Sequence, residues 1–246
     1  MNSPAPFKRI ATCRSPFGDP GLAEERQFLA HEEAGDVTLT DRAYRILEEL
    51  ITTLELPPGT TLTEQALGRR LEIGRTPIRE AVQRLVRDGL LLVIPRRGIL
   101  VSDIKIETQL QLLETRRVVE GLIARLAASR ANAEERRAFT EIATRMREAA
   151  AANDDRGFMR LDRRFNQLLA DTARNEFAVR SMGLLTPLCR RFWFKYYKNA
   201  GDLPLAAHLH ADMAEAIAQN DPKRAMAATG RLLDYIEAFT RHTLDP

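Results

Sequence analysis

The sequence predicts a mainly α-helical protein with an N-terminal winged helix-turn-helix and a C-terminal all-α antiparallel helix bundle. Two observations lead to this fold class. Between residues 40 and 101, three short apolar patterns with helical spacing precede two β-prone runs. From Glu107 onward, six longer helical patterns follow one another, separated by turn-forming Asn, Asp, Gly and Pro residues. We therefore predict a flexible arm at residues 1–38, a winged helix-turn-helix at 39–105 and a helical domain at 106–246.

Composition narrows the class of protein. The chain has 246 residues, 44% of them hydrophobic, which is enough to build substantial cores. Its two cysteines, Cys13 and Cys189, are too few to cross-link so long a chain. The sequence contains no apolar run of the length that a secretory signal or a membrane helix requires. We therefore expect a cytoplasmic protein with no membrane contact.

Positive charge is concentrated in the first module. The formal net charge of the whole chain is only +3, but eight arginines and three acidic residues lie between Arg69 and Arg97. A local excess of cations is typical of a surface that binds a polyanion, whereas the overall charge would not by itself indicate such a partner.

The third short helix carries this charge on one side. We predict that it begins at Pro77, because proline loses no hydrogen bond at a first helical position, with Thr76 as its cap. It should end near residue 88, before Gly89. Its apolar face consists of Ile78, Ala81, Val82, Leu85 and Val86, and its polar face includes Arg79, Gln83 and Arg87.

This arrangement predicts contact with a DNA duplex. Residues that read bases from the major groove lie near the N-terminus of a helix, where this sequence has Arg75, Thr76 and Arg79. Arginine can form two parallel hydrogen bonds with guanine, and a hydroxyl or a helix amide suits a phosphate. A hairpin turn at 95–98 would add a wing along a phosphate strand, formed by Arg96, Arg97 and Gly98. The alternatives are a solvated arginine face, or a winged helix that binds protein or RNA.

Polar residues interrupt the apolar faces of the predicted bundle. Arg116 and Glu120 lie in line with apolar residues of the first long helix, Asp162 and Asn166 with those of the third, and His210 with those of the fifth. Because buried polar groups need partners, this set predicts a ligand pocket between helices. Two simpler interpretations remain open: an i, i+4 ion pair for Arg116 and Glu120, and a hydrogen-bonded core residue for His210.

Four further arginines of the bundle lie outside this set. They are Arg163, Arg164, Arg190 and Arg191. Since arginine is rarely buried without a partner, we expect these side chains in solvent or at a dimer interface.

Three stretches of the first module carry a recognisable pattern, "LPPGTTLTEQALGRRL", "RTPIREAVQRLVRDGLL" and "PRRGILV". Together they resemble the GntR family of bacterial transcription regulators. The resemblance implies DNA contacts at Gln65, Arg75, Thr76, Arg79 and the wing around Gly98. In one respect the chain departs from the family, which usually has Ser or Thr where Gly74 stands and Gly two residues earlier. A backbone contact with phosphate at that position is therefore not carried over.

Three stretches of the second module are "LETRRVVEGLIARLAA", "LDRRFNQLLADTARN" and "HADMAEAIAQNDPKRA". They resemble the helical FCD effector domain of the FadR-type branch, in its six-helix, VanR-like form. Many FCD domains bind a divalent metal through one Asp and three His. In this chain Asp162 and His210 match two of those positions, whereas Asn166 and Leu232 stand at the other two. The resemblance thus implies at most a weak divalent metal at Asp162, Asn166 and His210, and no cofactor is expected to be required.

These expectations combine into one predicted function. A homodimer would bind a near-palindromic operator through two winged helices and would be a repressor released by a small organic acid. The effector, a carboxylate, would bind at Arg116 and the neighbouring polar residues. The alternative is a metal-dependent helical hydrolase with Asp162 and His210 as acid and base or as metal ligands. The sequence has no nucleophile motif to support it, so we expect a protein that is not an enzyme.

Overall fold

The computed structural model describes residues 38–96, 98–200 and 202–243, without the side chains of Arg156 and residues 198–200. Residues 1–37 of the predicted arm and Arg97 of the predicted wing lie outside this part of the chain. The first module contains α1 (Leu39–Thr52), β1 (Thr61–Leu62), α2 (Glu64–Leu71), α3 (Arg75–Arg87), β2 (Leu91–Ile94) and β3 (Gly98–Val101). The second contains α4 (Ile106–Arg130), α5 (Ala133–Ala152), α6 (Asp155–Ala173), α7 (Glu176–Ala200), α8 (Leu203–Ala218) and α9 (Pro222–His242). The mainly helical fold class is confirmed.

The first module is three helices packed on a small antiparallel sheet. The strands lie in the order β1-β3-β2, and Leu62 pairs with Ile99 across β1 and β3. The sequence predicted the β2–β3 hairpin but not β1, which has only two residues. Gly98 begins β3 with φ of +100°, and a Cβ atom there would lie 2.9 Å from the carbonyl oxygen of Leu62. Only glycine therefore lets the wing approach β1 this closely.

The helix that we predicted to begin at Pro77 begins at Arg75. Gly74 is its N-cap and makes no side-chain cap bond, so the prediction that Thr76 caps this helix is wrong. Pro77 lies in the first turn, where the backbone N–H has no partner within the helix, and proline is tolerated there as well as at the first position. The helix ends as predicted, since Gly89 follows it with φ of +76°.

The apolar face of α3 is anchored in the core of the first module. Ile78, Ala81 and Leu85 have no exposed surface and pack with residues of α1, α2 and the sheet. The hydroxyl of Tyr44 on α1 donates to Asp88 just after α3, over 2.8 Å. These contacts hold α3 on a rigid support.

The second module is an antiparallel arrangement of six long helices around a separate apolar core. Helix α4 lies at its centre and packs against α6, α7, α8 and α9. The largest fully buried side chains of this core include Phe139 and Phe165. Aspartate caps begin the last two helices, because Asp202 accepts from the amide of Leu205 and Asp221 from that of Arg224. None of the described helices is long and apolar enough to cross a membrane.

Candidate functional site

The N-terminal end of α3 presents polar side chains away from the core. Arg75, Thr76 and Arg79 are exposed, while the next turns of the same helix are buried through Ile78 and Ala81. The sequence placed these three residues together, and the structure does bring them to one end of one helix. Two guanidinium groups beside free helix amides form a surface suited to a polyanion.

Glu64 organises this cationic surface, and the sequence analysis did not identify it. Its carboxylate lies 3.5 Å from the Nε atoms of both Arg75 and Arg79. Glu64 is the first residue of α2, and Thr63 caps that helix by accepting from the amide of Ala66. Helix α2 thus places one carboxylate between the two arginines, in exposed ion pairs that contribute little to stability and that a polyanion can replace.

The wing and α2 flank this surface. Arg96 is exposed and has φ of +63° at the turn between β2 and β3. Gln65, on the first turn of α2, is also exposed. Gly98 starts β3 on the other side of the turn, and the predicted contact at Arg97 falls outside the described residues.

The polar residues predicted to point inward do meet in the bundle. His210 on α8 donates from Nδ1 to the carbonyl of Ala206 over 2.7 Å, and its Nε2 lies 3.2 Å from Oδ1 of Asp162 on α6. Asn166 donates from Nδ2 to the same Asp162 oxygen over 3.1 Å. A carbonyl and a carboxylate only accept, so the imidazolium form of His210, in which both ring nitrogens donate, satisfies both contacts.

The pKa values of this pair agree with that geometry. Burial alone would lower the pKa of His210, but the hydrogen bond and the charge of Asp162 outweigh burial and raise it. Burial would raise the pKa of Asp162, and the hydrogen bond from His210 with its charge lowers it instead. Both shifts favour the charged forms, an imidazolium beside a carboxylate.

A second ion pair lies beside the first. Arg116 and Glu120 on α4 form a buried i, i+4 pair, in which the guanidinium Nε donates to the carboxylate and the Glu120 side chain is only 3% exposed. Burial would lower the pKa of Arg116, but the charge of Glu120 raises it. The charge of Arg116 also lowers the pKa of Asp162, so the two pairs act on each other. All five predicted residues thus belong to one polar cluster.

Cys189 is a member of the cluster that the sequence analysis left out. Its side chain on α7 is buried, and it lies close enough to Arg116 of α4 for the charge of that guanidinium to lower the pKa of the thiol against the effect of burial. Burial raises the pKa of this thiol, so it is a neutral group in the cluster. A single cysteine on an apolar helix gave no sequence signal for this role. We call Arg116, Glu120, Asp162, Asn166, Cys189 and His210 the polar cluster.

The residues of the polar cluster fit a metal ion poorly. Both ring nitrogens of His210 are engaged, and the amide of Asn166 donates to Asp162 instead of offering its oxygen. Leu232, at the fourth position of the metal-binding pattern, is a fully buried apolar residue. Among the described residues, no three His, Cys, Asp or Glu side chains are grouped so that they could hold a metal.

The prediction of solvent or a dimer interface for the remaining arginines is wrong for Arg191, which is buried, and for Arg190, which is half-buried against α1 of the same chain. Arg191 is 4% exposed and donates to the backbone of Ser102 and Asp103. Arg190 and Arg163 bind Glu49 of α1. Sequence spacing could not reveal this, because the partners lie about ninety to 140 residues away along the chain. Arg163 and Arg164 have the expected surface position, since each side chain is 49% exposed, Arg163 beside Glu49 and Arg164 beside Glu141.

Comparisons with known proteins assign both modules. Residues 39–101 match the model of the bacterial regulatory proteins of the gntR family, and residues 111–235 match that of the FCD domain. The chain belongs to the GntR family. It is a DNA-binding transcriptional regulator with an effector-binding FCD domain and not an enzyme, so the hydrolase alternative is wrong.

Relatives of this GntR-family chain are transcriptional regulators, and the match extends over most of their length. The HTH-type transcriptional repressor RspR of Escherichia coli K12 is 26% identical over 203 residues, which cover 82% of this chain and 89% of RspR. A regulator of Agrobacterium vitis from the TAR-I ttuE-ttuC' intergenic region is 29% identical over 158 residues, 61% of this chain and 90% of that protein.

Solved structures share the fold of both modules. E. coli McbR/YncC superposes with a TM-score of 0.74 at 18% identity, covering 85% of this chain and 100% of McbR/YncC. A GntR regulator of Rhodococcus sp. RHA1 superposes with a TM-score of 0.62 at 22% identity, covering 82% of this chain and 97% of that one. At this level of identity the likeness extends to the fold alone.

Proposed function

We propose that this protein is a ligand-responsive repressor that acts in the cytoplasm as a homodimer on a near-palindromic operator, and that a small organic acid releases it. The exposed N-terminal end of α3 carries the first half of this proposal, because Arg75, Thr76 and Arg79 are presented together there on a helix whose other face is buried. The polar cluster in the bundle carries the second half.

In the proposed complex, α3 enters the major groove. Arg75 and Arg79 bind guanine O6 and N7, and Thr76 with the first helix amides binds a phosphate. Gln65 adds a contact from α2. Arg96, Arg97 and Gly98 follow the phosphate strand from the wing. A two-fold axis between two copies then fixes the separation of the half-sites, so a small rotation of either winged helix weakens binding.

The effector is proposed to bind at the polar cluster and to enter from the side of Asp162. Of the four side chains in the two ion pairs, that of Asp162 is the most exposed, at 27%. A carboxylate there would compete with Glu120 for Arg116 and with Asp162 for His210. The ligand can make these contacts only when the two ion pairs are open. It therefore binds the open state more tightly than the state with intact ion pairs, and this difference shifts the protein toward the open state. Asn166 offers a further donor.

No metal is proposed to be required. An ion at Asp162, Asn166 and His210 would find one imidazole and would have to break the bonds that His210 and Asn166 make with Asp162. Any divalent ion bound there would be held weakly.

The test combines selection of DNA with a screen of ligands. The protein selects a duplex from a random library, and metabolite carboxylates are then added to the complex while the melting temperature of the free protein is followed. The proposal expects at least one carboxylate to raise the melting temperature and release the duplex, and Asp162→Asn to bind the duplex but fail to release it. Release from Asp162→Asn by the same compound would refute this effector site.

A further inference from the structure

Helix α7 contains a proline just before it reaches the polar cluster. Pro187 lies inside the helix and has no N–H to donate to the carbonyl of Gly183 one turn earlier. A Cβ atom at Gly183 would meet nothing within 4 Å, whereas Pro187 itself is buried. Since proline is a common cause of helix kinks, a change of direction between the two halves of α7 would occur here.

The four consecutive residues after Pro187 reach different parts of the molecule. Leu188 packs against the apolar core of the winged helix-turn-helix, and Cys189 is in the polar cluster. Arg190 binds Glu48 and Glu49 of α1, at 3.8 and 3.2 Å. Since neighbouring residues of a helix point about 100° apart, one short segment contacts the cluster and the DNA-binding module at once.

Glu49 is held from two sides. Arg163 on α6 lies 3.4 Å from its carboxylate, and Arg190 on α7 lies 3.2 Å from it. Each arginine directly follows a member of the polar cluster in sequence, Asp162 in one case and Cys189 in the other. Any movement of α6 against α7 therefore changes the distance between two cations that share one acceptor.

Arg191 fixes the segment to the chain that leaves the wing. Its guanidinium donates to the carbonyl of Ser102 over 3.0 Å, to the Ser102 hydroxyl over 2.8 Å and to the carbonyl of Asp103 over 3.2 Å. These two residues link β3 to α4. The Nε atom of Arg191 is buried without a hydrogen-bond partner. This position of the side chain is therefore less stable than one in which every N–H group donates a hydrogen bond.

We propose that residues 188–191 of α7 are the connector that transmits the state of the polar cluster to the winged helix-turn-helix, through the shared ion pairs of Arg190 and Arg163 with Glu49. Opening of the Asp162–His210 contact shifts α6 and α7 and loosens α1. The proposal rests on the proposed function in one respect, namely that the natural signal at the polar cluster is an effector. The contacts that join the cluster to α1 are present without any ligand. Glu49, Arg163 and Arg190 are positioning residues that act through α1 and need not touch DNA or effector.

The test is a double-mutant cycle read by amide hydrogen exchange in the full-length protein without ligand or DNA. The cluster is perturbed by Asp162→Asn, which keeps the shape of the side chain and removes its charge. The connector is perturbed by Glu49→Gln, with Arg190→Gln as a second variant. Arg180→Gln is the matched control, because Arg180 lies on α7 before Pro187 and its partners among the described residues, Glu176 and the ring of Phe177, are both exposed.

We expect Asp162→Asn to speed exchange of the amides of α1 by about threefold or more, the size of shift that coupling between sites gives. In the Glu49→Gln background the same change should have no further effect, and in the Arg180→Gln background its full effect should remain. Additive effects of Asp162→Asn and Glu49→Gln, or exchange of α1 unaffected by Asp162→Asn, would overturn the connector. Circular dichroism identifies a variant that fails to fold, and Arg190→Gln then replaces Glu49→Gln in the cycle.

The two proposals fail separately. If no carboxylate releases the DNA but the exchange cycle is non-additive, the connector stands and the effector assignment falls. If a carboxylate releases the DNA and the cycle is additive, the signal reaches α1 by another route and the connector falls.

Discussion

Replacement of Arg79 by alanine tests the proposed base contact. The side chain is 54% exposed and has one partner, Glu64, at 3.5 Å. An exposed ion pair of this kind contributes about 0–1 kcal/mol, so Arg79→Ala should leave folding nearly unchanged. Loss of a bidentate contact with guanine costs about 1–3 kcal/mol of specific binding. At about 1.4 kcal/mol per tenfold change, the selected duplex should bind roughly 5- to 150-fold more weakly.

The assay is a fluorescence anisotropy titration of the selected duplex and of a scrambled duplex at the same salt concentration. Arg87→Ala is the matched control, because Arg87 is an exposed arginine at the other end of the same helix. Arg87→Ala removes the same charge, so it should weaken binding to both duplexes to a similar extent, and less than Arg79→Ala weakens binding to the selected duplex. Unchanged affinity of Arg79→Ala for the selected duplex, or an equal loss on both duplexes, would show that Arg79 does not read a base.

Three further predictions concern stability. The folded pKa of His210 is raised, so its stabilising contribution is complete below its unfolded pKa of about 6.5 and is lost as the pH rises through the folded value. In urea unfolding, the difference in stability between wild type and His210→Gln should therefore shrink above about pH 6.5. The control is His208→Gln, because His208 is exposed. Gly98→Ala should cost about 1–3 kcal/mol of unfolding free energy through its φ of +100° and the Leu62 carbonyl, whereas Gly183→Ala, with open space, should cost nothing. A chelator should leave the melting temperature unchanged, and a drop of many degrees would contradict the metal-free cluster.

The helices of the bundle could be predicted because their signals are local. Aspartate caps such as Asp202 and Asp221 and a repeating apolar face are properties of neighbouring residues. The same holds for the polar face of α3. The start of α3 was predicted two residues late because proline is tolerated throughout the first turn, so its presence does not fix the first residue.

The contacts between distant segments could not be predicted. Glu64 is 11 residues from Arg75, and Arg190 is 141 residues from Glu49. A charge pattern shows that an arginine is present but not which carboxylate the fold brings to it. The same holds for Cys189. The sequence around a buried position is the same whether a leucine or a guanidinium lies next to it in the fold. Five members of the polar cluster were predicted because they break an apolar periodicity, whereas the partners of Arg190 and Arg191 were not, because they lie on distant segments of the chain.

The most direct test of the central claim, that α3 presents its arginines to a DNA duplex, is a salt titration of the protein on the duplex that it selects. The account predicts preference for that duplex over a scrambled duplex and over RNA of the same sequence, with affinity that falls steeply as salt rises. Equal affinity for all three, or no binding to any duplex at low ionic strength, would contradict it.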